Sequence, residues 1–574
     1  MSRPASPRYL LNFSLLTLSA ALFVGACTDD TEDTGDGPDA AAGASGAPDS
    51  GGSAGTSGSA GTSGSAGTSG SAGTSGSAGT SGSGGSLAGE GGSGASGGGA
   101  PNFGGEAGSG GTPDQAGSGG DGGQGGSGGD GGQGGAGDEL LPRSTPQQLA
   151  NESAADYANN KHGLITGSTL KPWVAGWTAN RPPGVTGKLV ILQIGSSAAT
   201  SVAHVQESGS DVVSYLVATG ELTQVRDNGL SSIEAEIPNG AAADAFLKKY
   251  GIDATKDFVV FTFEQLASTS SSIVQQVGRA WLLLSYWGYP KERLAILNGS
   301  INWNATNQAL PLATTAAVTS PNNGTSSVRD LRVDNTAYVV TLSELLAILK
   351  DQSEEYPRDE VTVVDARGGA EALGLLKSTN TGKEDCDSFD TAQYKRCSPP
   401  FEGRIKGAHS APWPQFLTNA DSGFRFPDKA TVKATFDTLS DYQPGDVTIQ
   451  YCRTNMRWMV TGIVSGVILG YPTRFYDTSF IEWSHLAYGP TENTQVLPAT
   501  SPFRTDLPTL TEHATVSGGY VPGGPFDPAV HTVTGWVDGP NYNADDDISD
   551  TKVAVDPSAT STNLSVEQDR AYKL

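Results

Sequence analysis

Val447-Thr448-Ile449-Gln450-Tyr451-Cys452-Arg453-Thr454-Asn455-Met456-Arg457 is the stretch on which the fold turns. Its first five residues are rich in β-branched and aromatic side chains and predict a buried strand over 447–451. From Met456 to Leu469 the chain runs apolar and then meets Gly470-Tyr471-Pro472, which predicts a helix with a sharp stop. Cys452 therefore stands at a strand-to-helix junction. Loop amides and the positive end of the helix face such a junction, and Arg453 and Arg457 add two full charges. All of these favour a thiolate, so Cys452 is expected to act as a nucleophile. The competing reading is a structural thiol packed behind a helix. That reading predicts apolar neighbours, whereas the flanking residues are Arg, Thr, Asn and Arg.

Working outward, the same grammar recurs. Residues 361–364 predict a strand ending in Asp365-Ala366-Arg367, and 474–476 a last strand followed by Asp477-Thr478-Ser479-Phe480-Ile481-Glu482-Trp483. Upstream, 189–194 and 258–263 are near-continuous apolar runs, the pattern of strands covered on both faces. Residues 272–287 place Ile273, Val277, Ala280, Trp281 and Leu284 at helical spacing before Gly288, and 294–297 predict another strand. Strands alternating with helices predict an α/β fold of mainly parallel sheets flanked by helices. The upstream series Arg279-Ala280-Trp281, Trp287-Gly288-Tyr289 and Leu297 to Trp303 parallels the downstream helix, Gly470-Tyr471 and Tyr476 to Trp483. An internal duplication is expected, with one half over 139–335 and the other over 336–489.

The flanks differ in kind. The chain has 574 residues and a formal charge of −26, which argues against nucleic acid as a partner because phosphates require clustered Lys and Arg. Arg3 and Arg8 precede an apolar run from Leu10 to Val24, and Val24-Gly25-Ala26-Cys27 ends it. Residues 1–27 read as an export signal, too short and interrupted to span a bilayer. Residues 28–138 hold five consecutive copies of Ser-Ala-Gly-Thr-Ser-Gly over 53–82 and further Gly-rich runs. Such a tract buries nothing to offset its backbone entropy and predicts a disordered tether, roughly 55–65 Å from end to end. Residues 490–574, rich in Pro, Thr and Asp, predict an extended wrap or a partly ordered tail.

Asp365-Ala366-Arg367, Gly403-Arg404-Ile405-Lys406-Gly407-Ala408, Tyr451 to Arg457 and Tyr476-Asp477 to Trp483 together resemble a rhodanese domain, in that family's order. They look like its opening strand, its glycine turn, its active-site loop and its closing segment. The upstream half resembles the non-catalytic half of tandem sulfurtransferases; it has no cysteine. The resemblance implies two rhodanese-like domains and a sulfane sulfur carried as a persulfide on Cys452, with no other cofactor. Arg453, Thr454, Asn455, Met456 and Arg457 would cradle the donor, and Arg367 would line the same pocket. For Arg367 the alternative is a salt bridge to Asp365 or a helix end. Cysteine phosphatases, which share the architecture, place their arginine six positions after the cysteine; here Arg457 is five after, and Tyr451 precedes the thiol where they have histidine. Asn455 stands where rhodanese loops have glycine, at a turn expected to need a positive φ.

The end of the export signal resembles a bacterial lipobox, which implies a lipid on Cys27 and a protein anchored to a membrane of the cell envelope, on its periplasmic or surface face. A plain secretory signal is the alternative. Cys386 and Cys397 lie in a polar insertion and are expected to form a disulfide, or to supply a resolving thiol for Cys452. No histidine separates them and no His spacing suggests a metal. The leading functional expectation is a sulfurtransferase taking sulfur from thiosulfate, favoured over mercaptopyruvate by the two arginines, and passing it to a thiophilic acceptor. The alternative is a non-catalytic protein that binds sulfur, selenium or an anion.

Overall fold

The computed structural model describes residues 140–195, 203–227, 232–314, 319–349, 351–375, 403–487, 513–520, 529–537 and 563–574. The chain divides into Met1–Gln124 and Gly125–Leu574, and the described residues all belong to the second unit. Cys27, Cys386, Cys397 and the tether lie outside them.

Two parallel sheets carry this unit. In the first the strand order is Gly163–Ile165, Leu294–Leu297, Phe258–Phe263, Leu189–Ile194, Val212–Val217. Leu189 pairs with Phe258 and Ile194 with Phe263, and every residue of both central strands is buried. Continuous apolar runs are what a strand needs when helices cover both faces. The second sheet orders His409–Ser410, Val361–Asp365, Val447–Tyr451 and Thr473–Phe475, all parallel. The architecture is thus a mixed α/β one with parallel sheets flanked by helices.

Local signals fix the helices. The Gly240–Tyr250 helix starts at Asn239, whose side chain accepts from the Ala242 amide, and stops at Gly251 with φ +60°. Asp428 caps the Lys429–Ser440 helix in the same way. The Ile273–Tyr286 helix is buried almost all round and ends before Gly288, whose φ is +94°.

That helix meets the one following Cys452. A Cβ on Gly278 would come within 2.8 Å of Met459 Cβ, so the two backbones cross at a distance only glycine permits. The second helix runs Trp458–Gly462 and opens into a π turn over Ile463–Ile468, closed by the Leu469 amide on the Val464 carbonyl. Trp281, Leu284, Met459, Ile463 and Val467 belong to one continuous core shared by both sheets. Each large apolar side chain buried there contributes about 1.5–3 kcal/mol.

Past residue 489, His513–Ser517 and Thr532–Val537 form an antiparallel pair, and Leu564–Tyr572 is a helix packed on the first sheet's half. Asp569 receives both Arg226 amino groups, at 2.7 and 2.9 Å, and the Tyr286 hydroxyl at 2.8 Å. The Lys573 ammonium donates to the carbonyls of Trp287, Val328 and Leu331. Among the described residues no helix is long and apolar enough to cross a membrane.

Candidate functional site

Val361–Asp365 and Val447–Tyr451 run parallel in register, with Asp365 opposite Tyr451. Arg367 and Cys452 therefore leave the sheet together at the carboxyl ends of adjacent strands, where open α/β sheets hold their ligands. From Cys452 the loop passes through Arg453, Thr454, Asn455 and Met456 to Arg457, and the helix begins at Trp458.

Asn455 sits at φ +66°, the left-handed conformation expected where the family pattern has glycine. Asparagine tolerates this region better than any other residue with a Cβ, so the loop closes without glycine. Beneath the loop, the Ser479 hydroxyl accepts from the Cys452 amide at 3.4 Å and from the Trp458 indole at 3.1 Å, and donates to the Tyr476 carbonyl. The Phe480 and Ile481 amides donate to the carbonyls of Cys452 and Arg453. The closing segment thus fastens the loop from below.

A buttress comes from the other half. Arg279, 1% exposed, pairs with Asp477 at 2.7 Å, donates to the Ala235 carbonyl at 2.7 Å and reaches the Asn455 carbonyl at 3.4 Å. Its guanidinium lies 5.5 Å from the centre of the Trp458 ring. Asp477 also accepts from the Ile237 amide. Arg279 thus holds the loop and the closing segment to the upstream half.

The electrostatics of the loop depend on a residue that nothing in the sequence marks. Glu371, on the short helix Gly369–Ala372, places one oxygen 2.5 Å from Arg457 and the other 3.4 Å from Arg453. Burial alone would raise its pKa; the guanidiniums of Arg457, Arg367 and Arg453 outweigh burial and hold its carboxyl below the ordinary range. For Arg457, burial would lower the pKa, and Glu371 and Cys452 outweigh that and raise it.

Arg367 is fully buried and spends its guanidinium on Asp365, at 3.0 Å from Nε and 2.7 Å from Nη2, and on the Gly403 carbonyl. It also lies 4.1 Å over the Phe480 ring. Of the two readings offered by the sequence, the salt bridge to Asp365 is the contact present. Cys452 is a free thiol with no exposed surface, and it belongs to the shared apolar core. The polar flanking residues did not foretell that burial; Asn455 beside it is buried as well. Thr454 and Met456 are half-buried. Among the described residues, no group of His, Cys, Asp and Glu converges in a way that could hold a metal ion.

No family model matches the chain, and no curated protein does. Solved structures do. The Tum1 protein from Saccharomyces cerevisiae superposes over 56% of this chain and 95% of its own, at 14% identity and TM-score 0.40. The anaerobic ergothioneine biosynthesis enzyme from Chlorobium limicola, in complex with trimethyl histidine, matches over 57% of this chain and 70% of its own, at 15% identity and TM-score 0.39. A complex of an EanB variant with ergothioneine gives 16% identity and TM-score 0.39 over the same shares.

Proposed function

We propose that this protein is a rhodanese-like sulfurtransferase in which Cys452 carries sulfane sulfur between a small anionic donor and a thiophilic acceptor. The observation that supports it is the loop: a cysteine at the end of a central parallel strand, a left-handed Asn455, and Arg457 five residues on at the start of the following helix. With thiosulfate as donor, the Cys452 thiolate attacks the outer sulfur, the S–S bond of thiosulfate breaks, and its electron pair leaves with sulfite. The persulfide then gives that sulfur to the acceptor and regenerates the thiolate. Thr454, Asn455 and Met456 supply the rest of the cradle, and Arg367, held by Asp365, forms its floor. No cofactor enters beyond the persulfide. Lipidation at Cys27, anchorage in the cell envelope and a Cys386–Cys397 disulfide complete the proposal.

A second reading has its own observation. Cys452 has no exposed surface and both cradle arginines are engaged, which suits a protein that holds sulfur, selenium or an anion without turnover. Intact mass spectrometry separates the two. After thiosulfate the wild-type chain should gain one sulfur, about 32 Da, that cyanide removes as thiocyanate over repeated cycles, and Cys452→Ser should gain none. A single stoichiometric uptake without cycling selects the binding protein, and sulfur on Cys386 or Cys397 excludes Cys452 as the carrier.

A further inference from the structure

An anion site is built around the Cys452 loop, and the chain itself fills it. Arg453 and Arg457 are the two cations of the loop that follows the thiol, and both face the Glu371 carboxylate, one oxygen to each. Glu371 is 15% exposed, so water screens this contact weakly. The third guanidinium of the site, Arg367, is neutralised by Asp365 at no exposure on either side. Two positive charges and one negative leave the mouth of the loop with a single net positive charge.

We propose that Glu371 is the donor-selecting residue of this site, favouring monoanionic sulfane donors over the thiosulfate dianion. The inference rests on the persulfide reading above and refines its substrate class. A dianion brought to Arg453 and Arg457 must either displace Glu371 or sit beside it, and like charges at this range repel in a partly buried setting. An organic thiosulfonate, R–SO2–S⁻, presents the same outer sulfur and sulfonyl group with one charge fewer. The step balances in the same way. The Cys452 thiolate bonds to the outer sulfur, the S–S bond of the donor breaks, and the electron pair leaves with the sulfinate R–SO2⁻.

The test compares two donors, thiosulfate and the methanethiosulfonate anion, in three full-length proteins: wild type, Glu371→Gln and Glu371→Asp. In Glu371→Gln, kcat/KM for thiosulfate should rise about tenfold or more as the competing carboxylate is lost. For methanethiosulfonate the change should stay within about threefold. Glu371→Asp keeps the charge and should keep the wild-type preference, which guards against a mere loss of packing. Equal changes for both donors, or a fall in thiosulfate use, overturns the selector. If wild type accepts sulfur from neither donor, the sulfurtransferase reading fails, and binding then decides Glu371 independently. Calorimetric titration of sulfate and methanesulfonate into Cys452→Ser, with and without Glu371→Gln, should show the dianion gaining on the monoanion by about tenfold. An unchanged ratio there sinks the proposal.

Discussion

At the scale of single residues, Asn455 carries the tightest constraint in the site. An L-residue in the left-handed region costs about 1–2 kcal/mol, a cost that asparagine meets in part and alanine does not. Asn455→Ala should lose about 1 kcal/mol of stability, and Asn455→Gly should lose less than Ala does, as read from urea midpoints. Ala proving the more stable of the two would show that φ +66° is not a constraint. The conformation of this residue was anticipated through the resemblance alone, because the loop pattern it resembles has glycine at that turn. Glu371 was not. Its segment Gly368-Gly369-Ala370-Glu371-Ala372 has neither apolar period nor cap, and its partners lie 82 and 86 residues away. Pairing at that separation leaves no local trace. Arg279 is hidden for the same reason: on its own helix it reads as one more residue of a buried face, and only the fold brings Asp477 to it.

At the scale of elements, the strands and the crossing helices were the legible part. Runs such as Phe258–Phe263 and a stop such as Gly288 encode their structure within a few residues of themselves. The polar Leu564–Tyr572 helix shows no such signature and owes its form to what it packs against. The last strand of the second sheet, Thr473–Phe475, depends on a pair of this long-range kind. Arg474, fully buried, meets Glu344 of the Leu342–Leu349 helix at 2.5 and 2.9 Å. Burial would raise the Glu344 pKa; Arg474 outweighs it and holds the carboxyl below its ordinary value of 4.5. A carboxyl depressed in the folded state adds stability above that ordinary value and loses it as pH falls through the lower, folded one. Glu344→Gln should therefore cost about 3 kcal/mol near pH 7, because it strands a buried guanidinium. The deficit against wild type should shrink below pH 4.5 in pH-resolved denaturant titrations. A deficit constant with pH would mean that the pair contributes through packing alone.

At the scale of the whole molecule, the halves are joined by one core and by the Arg279 buttress, and the helix Leu564–Tyr572 closes over the upstream half. That helix is held through Asp569 on Arg226 and Tyr286, Arg570 on Asp334 at 2.7 Å, and Tyr572 on Asp244 at 2.7 Å. Removing the carboxylate in Asp569→Ala leaves Arg226 buried without its partner and should cost about 3–5 kcal/mol. A thermal midpoint equal to wild type would show that the helix is an ornament on a finished fold. The Lys573 clasp has a consequence for the order of events in time. The carbonyls it holds, on Trp287, Val328 and Leu331, belong to the half that is synthesised first, yet the lysine is made 286, 245 and 242 residues after them. A ribosome delivers the upstream sheet hundreds of residues before the piece that seals it, so this half is begun early and completed last. Its late contacts have very high sequence separation, the kind that slows folding and prolongs exposure of unfinished surface. A chain stalled anywhere short of Lys573 is, in kinetic terms, still a nascent one.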